Sequence, residues 1–249
     1  MWKTILLSAA LFGGHYVPSR IIIRHDVRDE AYLALGESVR GLVHLNLPDG
    51  QGVLIAPGWV LTAAHVGVEV KRGDSLTVVG SGQYAAAETL LHPEWDDGPH
   101  DLALIRLAAP VTDAMPVPPY PHRDEVERVV VVAGAGDFGT GRSGPVGNDG
   151  KTRAATNRVD SASDAWLRWR FDDPGEATSR ATPMEGISGP GDSGGPAYCE
   201  VNGVTYVVGL SSGQSTRATE GREGLYGVTE YYTRVSSYLD WIARMTSAD

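Results

Sequence analysis

Three short segments of this 249-residue chain hold side chains whose types could do chemistry together. Val60-Leu61-Thr62-Ala63-Ala64-His65 is a β-like run that ends in small residues and a histidine. Asp101-Leu102-Ala103-Leu104-Ile105-Arg106-Leu107 puts an aspartate at the mouth of an apolar strand. Gly189-Pro190-Gly191-Asp192-Ser193-Gly194-Gly195-Pro196 sets a serine amid glycines. A serine hydroxyl is a poor nucleophile at neutral pH and needs a base within hydrogen-bond reach. Histidine suits that work because its imidazole titrates close to neutrality. The ring must then be held in one tautomer by a buried carboxylate. The glycines let the backbone around Ser193 take unusual dihedrals and aim N–H groups at a developing oxyanion. One such donor is typically worth about 3 kcal/mol in the transition state. The chemistry of such a set is acyl transfer. Asp96 and Asp97 compete with Asp101 for the carboxylate role, but neither is followed directly by an apolar strand.

The elements that must position these groups are short. Apolar runs rich in Val, Leu and Ile recur at 41–47, 52–55, 75–79, 102–107, 129–132 and 204–210, each bounded by Gly, Pro, Asp or Asn. Runs of four to eight residues with such punctuation predict an all-β sandwich or barrel. Only the C-terminus reads as helix: Val235, Tyr238, Leu239, Ile242 and Met245 follow spacings of three and four. Proline removes ladder donors, so the proline-rich stretch 110–121 predicts an extended linker between two β halves, about 21–115 and 122–234. The Gly-, Asp- and Ser-rich stretch 136–151 predicts an exposed loop.

In this order, TAAH, DLALIRL and GDSGGP resemble the trypsin/chymotrypsin-like serine peptidases. The similarity runs from about Ile21 to the end, where YTRVSSYLDWI resembles the family's final strand and helix. The resemblance implies an all-β fold of two Greek-key β-barrels packed side by side, with a short C-terminal helix at about 235–246. It implies His65 as general base, Asp101 as its orienter, Ser193 as nucleophile, and the backbone N–H groups of Gly191 and Ser193 as oxyanion donors. It also implies a serine endopeptidase working through an acyl-Ser193 intermediate, with no metal or organic cofactor. Its partners would be protein or peptide substrates, with a proteinaceous inhibitor as a further candidate.

The sequence departs from the family pattern in three places. The family often activates by freeing an Ile-Val-Gly-Gly terminus that pairs with the aspartate before the nucleophile, here Asp192. The matching stretch is Arg20-Ile21-Ile22-Ile23, without the Gly-Gly pair, so cleavage after Arg20 to free Ile21 stands beside activation by signal removal alone. The family's cystines cannot form, because Cys199 is the one cysteine; its apolar neighbours predict a buried, inert thiol. In the substrate pocket, Ile187 stands six residues before Ser193, where a trypsin-type acid would be. Ser211, Gly213 and Glu230 are the other pocket candidates. If Glu230 faces the pocket, a basic substrate side chain is favoured; if it faces solvent, an apolar one.

Composition bounds the remaining functions. With 42% apolar and 21% charged residues, wholesale disorder is excluded. A net charge of −10 argues against a nucleic-acid binder. Residues 1–20 read as a signal or pro segment: a basic start, the apolar run 4–12, then Gly13-Gly14. That predicts a secreted or periplasmic protein with no membrane span in the mature form. His92 and His100 carry no assigned role; a metal site shared with Asp96 or Asp97 is the one alternative for them. Two other functions compete. A peptidase fold kept only as a binding or regulatory module would be expected to have lost one of the three side chains. An α/β-hydrolase esterase would carry them in the order Ser, Asp, His.

Overall fold

The computed structural model describes residues 21–47 and 50–247; the signal or pro segment expected at 1–20 lies outside them. Six antiparallel strands close into a first barrel: Leu42–His44, Gln51–Ala56, Trp59–Thr62, Ser75–Val78, Gly82–Leu91 and Ala103–Leu107. Numbered along the chain, their order around the barrel is 1-2-3-6-5-4, a Greek key. The strands alternate inward and outward side chains, and Val43, Leu54, Val60, Leu76, Val78 and Ile105 fill the interior.

The second half repeats this order around a seven-stranded sheet. Its principal strands are Val129–Gly134, Arg153–Arg158, Trp166–Arg170, Pro196–Val201, Val204–Ser215 and Thr229–Arg234. Five of the six junctions of the Greek-key ring are paired. The sixth, between Arg153–Arg158 and Trp166–Arg170, has no ladder among the described residues, so this half is a half-barrel. The Asn157 amide spans that seam, donating to Arg170 O at 3.3 Å and to Gly186 O at 3.1 Å.

Several segments differ from the sequence expectations. Residues 21–37 pack on the second half although they precede the first barrel: Ile22–Ile23 pairs with Gly186–Ile187, and the helix Asp29–Glu37 lies against Arg153–Arg158. The sequence pattern does not foreshadow that helix. Two acids in its first turn favour the positive end of its dipole, and Asp29 takes both Nε and Nη2 of the buried Arg153 at 2.5 and 2.6 Å. The 136–151 stretch holds two short strands, Phe138–Thr140 and Gly144–Gly147, which extend the pairing of Ile22–Ile23. The proline-rich connection carries no ladder beyond one bridge, Pro119 to Val207.

The C-terminal helix occupies Leu239–Thr246, after a 3-10 turn at Val235–Ser237. Its Trp241 and Ile242 join Leu61 and Leu104 of the first half and Leu210 of the second in one apolar cluster. The helix therefore seals the junction of the two halves. Cystines contribute nothing, since Cys199 is free and buried. Burial pushes its thiol up to about 11, which keeps it protonated and unreactive at neutral pH. Among the described residues, no helix is long and apolar enough to cross a membrane.

Candidate active site

Strand pairing brings two of the three segments together. Trp59–Thr62 runs antiparallel to Ala103–Leu107, with Thr62 opposite Ala103. His65 stands three residues past Thr62 on the short helix Ala64–Gly67, and Asp101 stands two residues before Ala103. The pairing thus delivers both to one end of the first barrel. Gly67 permits the close fit, because a Cβ there would lie 2.7 Å from the Ala103 Cβ.

The geometry of this pair fixes the imidazole. Asp101 Oδ1 accepts the His65 backbone N–H at 2.9 Å, and Oδ2 lies 2.7 Å from His65 Nδ1. An ionised carboxylate only accepts, so Nδ1 carries the proton and Nε2 presents its lone pair. Asp101 is 3% exposed, whereas the His65 side chain is 32% exposed. The Asp101 carboxylate is therefore shielded while the ring stays open to solvent. Ser212 Oγ donates to Asp101 Oδ2 at 2.5 Å, and Thr233 Oγ1 donates to the Asp101 carbonyl at 2.8 Å.

Ser193 comes from the second half, on the turn between Gly186–Ile187 and Pro196–Val201. The turn is pressed onto the first barrel: the Gln51 N–H donates to Ser193 O at 2.9 Å. Its fit depends on Gly194. That residue has φ +75°, and a Cβ on it would fall 2.2 Å from Thr62 Oγ1 and 2.6 Å from Gln51 O. Gly191 has φ +88°, another conformation that disfavours side chains. His65, Gly191 and Ser193 line one cavity of about 310 Å³. No hydrogen bond within 3.5 Å joins His65 Nε2 to Ser193 Oγ among the described residues. Such contacts often tighten only when substrate binds.

Asp192 points away from that cavity into the protein and is 1% exposed. Its Oδ1 accepts the Gly136 N–H at 2.7 Å and its Oδ2 the Gly189 N–H at 3.0 Å. Ile21 is fully buried in the core cluster that also holds Ile187.

Of the pocket candidates, Ser211, Gly213 and Glu230 line the same cavity as Ser193. Ile187 does not: it is fully buried and opposite Ile22 in the sheet, and its neighbour Ser188 lines the cavity instead. Glu230 is 1% exposed, and burial pushes its carboxyl up to about 8. Ser188 N–H donates to its Oε2 at 3.0 Å, and the Gln214 amide donates to its Oε1 at 2.8 Å. The same amide reaches Ser188 O at 2.6 Å, so Gln214 spans the pocket.

Sequence reasoning misses Ser212, Ser188 and Gln214 as partners of the site. A signal for Ser212 is present, a second polar residue directly after the apolar run 204–210, but only the strand pairing shows which carboxylate it meets.

A family model described as Trypsin matches residues 36–242. The chain is 31% identical to vitamin K-dependent protein C of Oryctolagus cuniculus over 218 residues, spanning 76% of this chain and 45% of that protein. It is 29% identical to trypsin V-B of Rattus norvegicus, spanning 80% of each. The chain thus covers less than half the length of the first relative and most of the second.

Proposed function

Because the chain belongs to the trypsin family of serine peptidases, we propose that it is a serine endopeptidase that cleaves peptide bonds through an acyl-enzyme on Ser193. The observation that carries this reading is the buried Asp101 carboxylate, 2.7 Å from His65 Nδ1, in a ring that shares one cavity with Ser193. His65 Nε2 takes the Ser193 hydroxyl proton as Oγ attacks the scissile carbonyl. Asp101 stabilises the imidazolium without itself taking the proton. The N–H groups of Gly191 and Ser193 receive the oxyanion. His65 then protonates the leaving amine, and water, activated by the same ring, releases the acid and restores Ser193. These roles are the family's own, assigned to this chain through the TAAH, DLALIRL and GDSGGP motifs.

Glu230 supplies the preference. Its place in the cavity supports a basic substrate side chain, whose cation would compensate a carboxylate that burial, helped by the nearby Asp192 charge, keeps protonated near neutrality. Gln214 would give up its bond to Glu230 as that side chain enters.

Two further steps precede catalysis. The first is export, the role read for residues 1–20. The second is cleavage after Arg20, which would free an amino group at Ile21 for Asp192; the burial of both residues supports it.

Fluorophosphonate labelling read by intact mass tests the proposal on the full chain, a form beginning at Ile21, and the Ser193→Ala variant of that form. One adduct on the Ile21 form and none on the variant is the expected result. Equal labelling of the full chain would keep the peptidase and remove the activation step. No adduct on any folded form would favour a binding module instead.

A further inference from the structure

The turn leading into Asp101 brings together three side chains that acyl transfer does not use. His92, Glu94 and His100 each offer one ligand atom, and the three atoms lie within 4.8 Å of one another. Glu94 Oε2 is 3.7 Å from His100 Nδ1. The two imidazoles stack with centroids 5.3 Å apart and planes 10° apart. The Glu94 N–H donates to His92 Nδ1 at 3.3 Å, which ties that ring to the same turn. Packing accounts for His92, whose ring rests on Tyr238 and Trp241. It does not account for Glu94, whose side chain is 69% exposed yet folds toward the two rings.

We propose that His92, Glu94 and His100 form a binding site for a divalent transition-metal ion of the Zn²⁺ class, and that occupancy stiffens the turn beside Asp101. Two imidazoles and one carboxylate are a donor set that suits Zn²⁺ and is poor for Ca²⁺ or Mg²⁺. Metal–ligand bonds of about 2.0–2.2 Å require the three atoms to draw closer than they stand here. The exposed Glu94 can swing inward to do so. The fourth position stays open to solvent, because the three residues line a cavity of about 470 Å³ separate from the one holding Ser193.

Backbone geometry carries the consequence to the cleft. The His92 N–H donates to Leu102 O at 3.1 Å, and the Leu102 N–H donates to His100 O at 2.8 Å. The ligands therefore sit at the two ends of a closed turn. Between them, Trp95, Asp97 and Gly98 join His65 and Asp101 around a small cavity of about 150 Å³. A metal tying 92 and 94 to 100 would hold that wall in one shape. This consequence for substrate rests on the peptidase reading; the metal site itself does not.

Calorimetric titration of the full chain with ZnCl₂ tests binding, and Co²⁺ substitution read by its visible bands reports the ligand geometry. One saturable equivalent is expected. Glu94→Gln and His100→Asn should each weaken it about tenfold or more, with circular dichroism confirming an unchanged fold. His65→Ala should leave it intact. No saturable binding, or binding insensitive to the first two variants, would overturn the site. So would binding lost with His65→Ala, which would place the ion in the cleft. Amide exchange with and without Zn²⁺ then reads the second part. Slower exchange at 94–100 is expected, and unchanged exchange in the saturated protein would overturn the stiffening. Labelling of Ser193 is a separate readout, so failure of the peptidase reading would leave these results standing.

Discussion

Ser212 Oγ donates to Asp101 Oδ2 at 2.5 Å, on the same oxygen that meets His65 Nδ1. The serine comes from the second half and the aspartate from the first, so this bond ties the Asp101 carboxylate across the junction of the two halves. A hydrogen bond to a charged group contributes about 1.5–3 kcal/mol. Ser212→Ala is therefore expected to lower kcat/KM by roughly 10- to 100-fold, with the loss mostly in kcat. A rise in KM alone, at constant kcat, would show that Ser212 contacts substrate and does not position Asp101.

Gly194 is where the turn that carries Ser193 meets the first barrel. A methyl there would fall 2.2 Å from Thr62 Oγ1, at a φ of +75°. Gly194→Ala is expected to cost about 1–3 kcal/mol through strain and overpacking. It should also abolish fluorophosphonate labelling, because relieving the clash moves Ser193. Denaturant titration and labelling on one sample check both effects.

Glu230 should make the pocket sensitive to pH. Its carboxyl is pushed up to about 8 from 4.5 by burial. The folded protein then holds a proton that the unfolded chain releases. The stabilisation is full below pH 4.5 and is lost as pH rises through about 8. Glu230→Gln should flatten stability across this window. For activity, the ionised carboxyl favours a cation, so the ratio of kcat/KM for an arginine over a leucine substrate should rise through about pH 8 in the native protein. A ratio independent of pH, or unchanged by Glu230→Gln, would remove Glu230 from substrate recognition.

Glu125 is fully buried and accepts Arg234 Nε at 3.0 Å, Arg234 Nη2 at 2.5 Å and Ser236 Oγ at 2.5 Å. It fastens the last strand and the turn before the C-terminal helix to the start of the second half. Removing one partner of a buried pair leaves an uncompensated charge and costs about 3–5 kcal/mol. Glu125→Ala should lower stability by that amount in urea, while a Glu125→Met, Arg234→Met double variant should recover much of it. Equal destabilisation in both would mean that packing, not charge, is lost.

Much of the fold is legible in the residues. The runs at 52–55, 75–79, 102–107 and 129–132 fall within strands or overlap them closely, because short Val- and Leu-rich segments between turn formers suit only a half-buried sheet. The strand Gly82–Leu91 leaves little trace in the sequence: Ala85, Ala86 and Ala87 interrupt any apolar alternation, and most of its residues are partly exposed. The helix Asp29–Glu37 is faint for a related reason, as only Tyr32 and Gly36 of its nine residues are buried.

By itself the sequence determined the chemical types in play, His65, Asp101 and Ser193, and the class of sheet that carries them, because residue type and local punctuation are written in consecutive positions. It could not decide that Ser212 steadies the Asp101 carboxylate, that Glu230 faces the cavity while Ile187 does not, or that residues 21–37 close onto the second half. Each of these depends on strand register and on contacts between residues far apart in the chain. A shift of one residue reverses the face a side chain occupies, and only the packed tertiary structure selects the register.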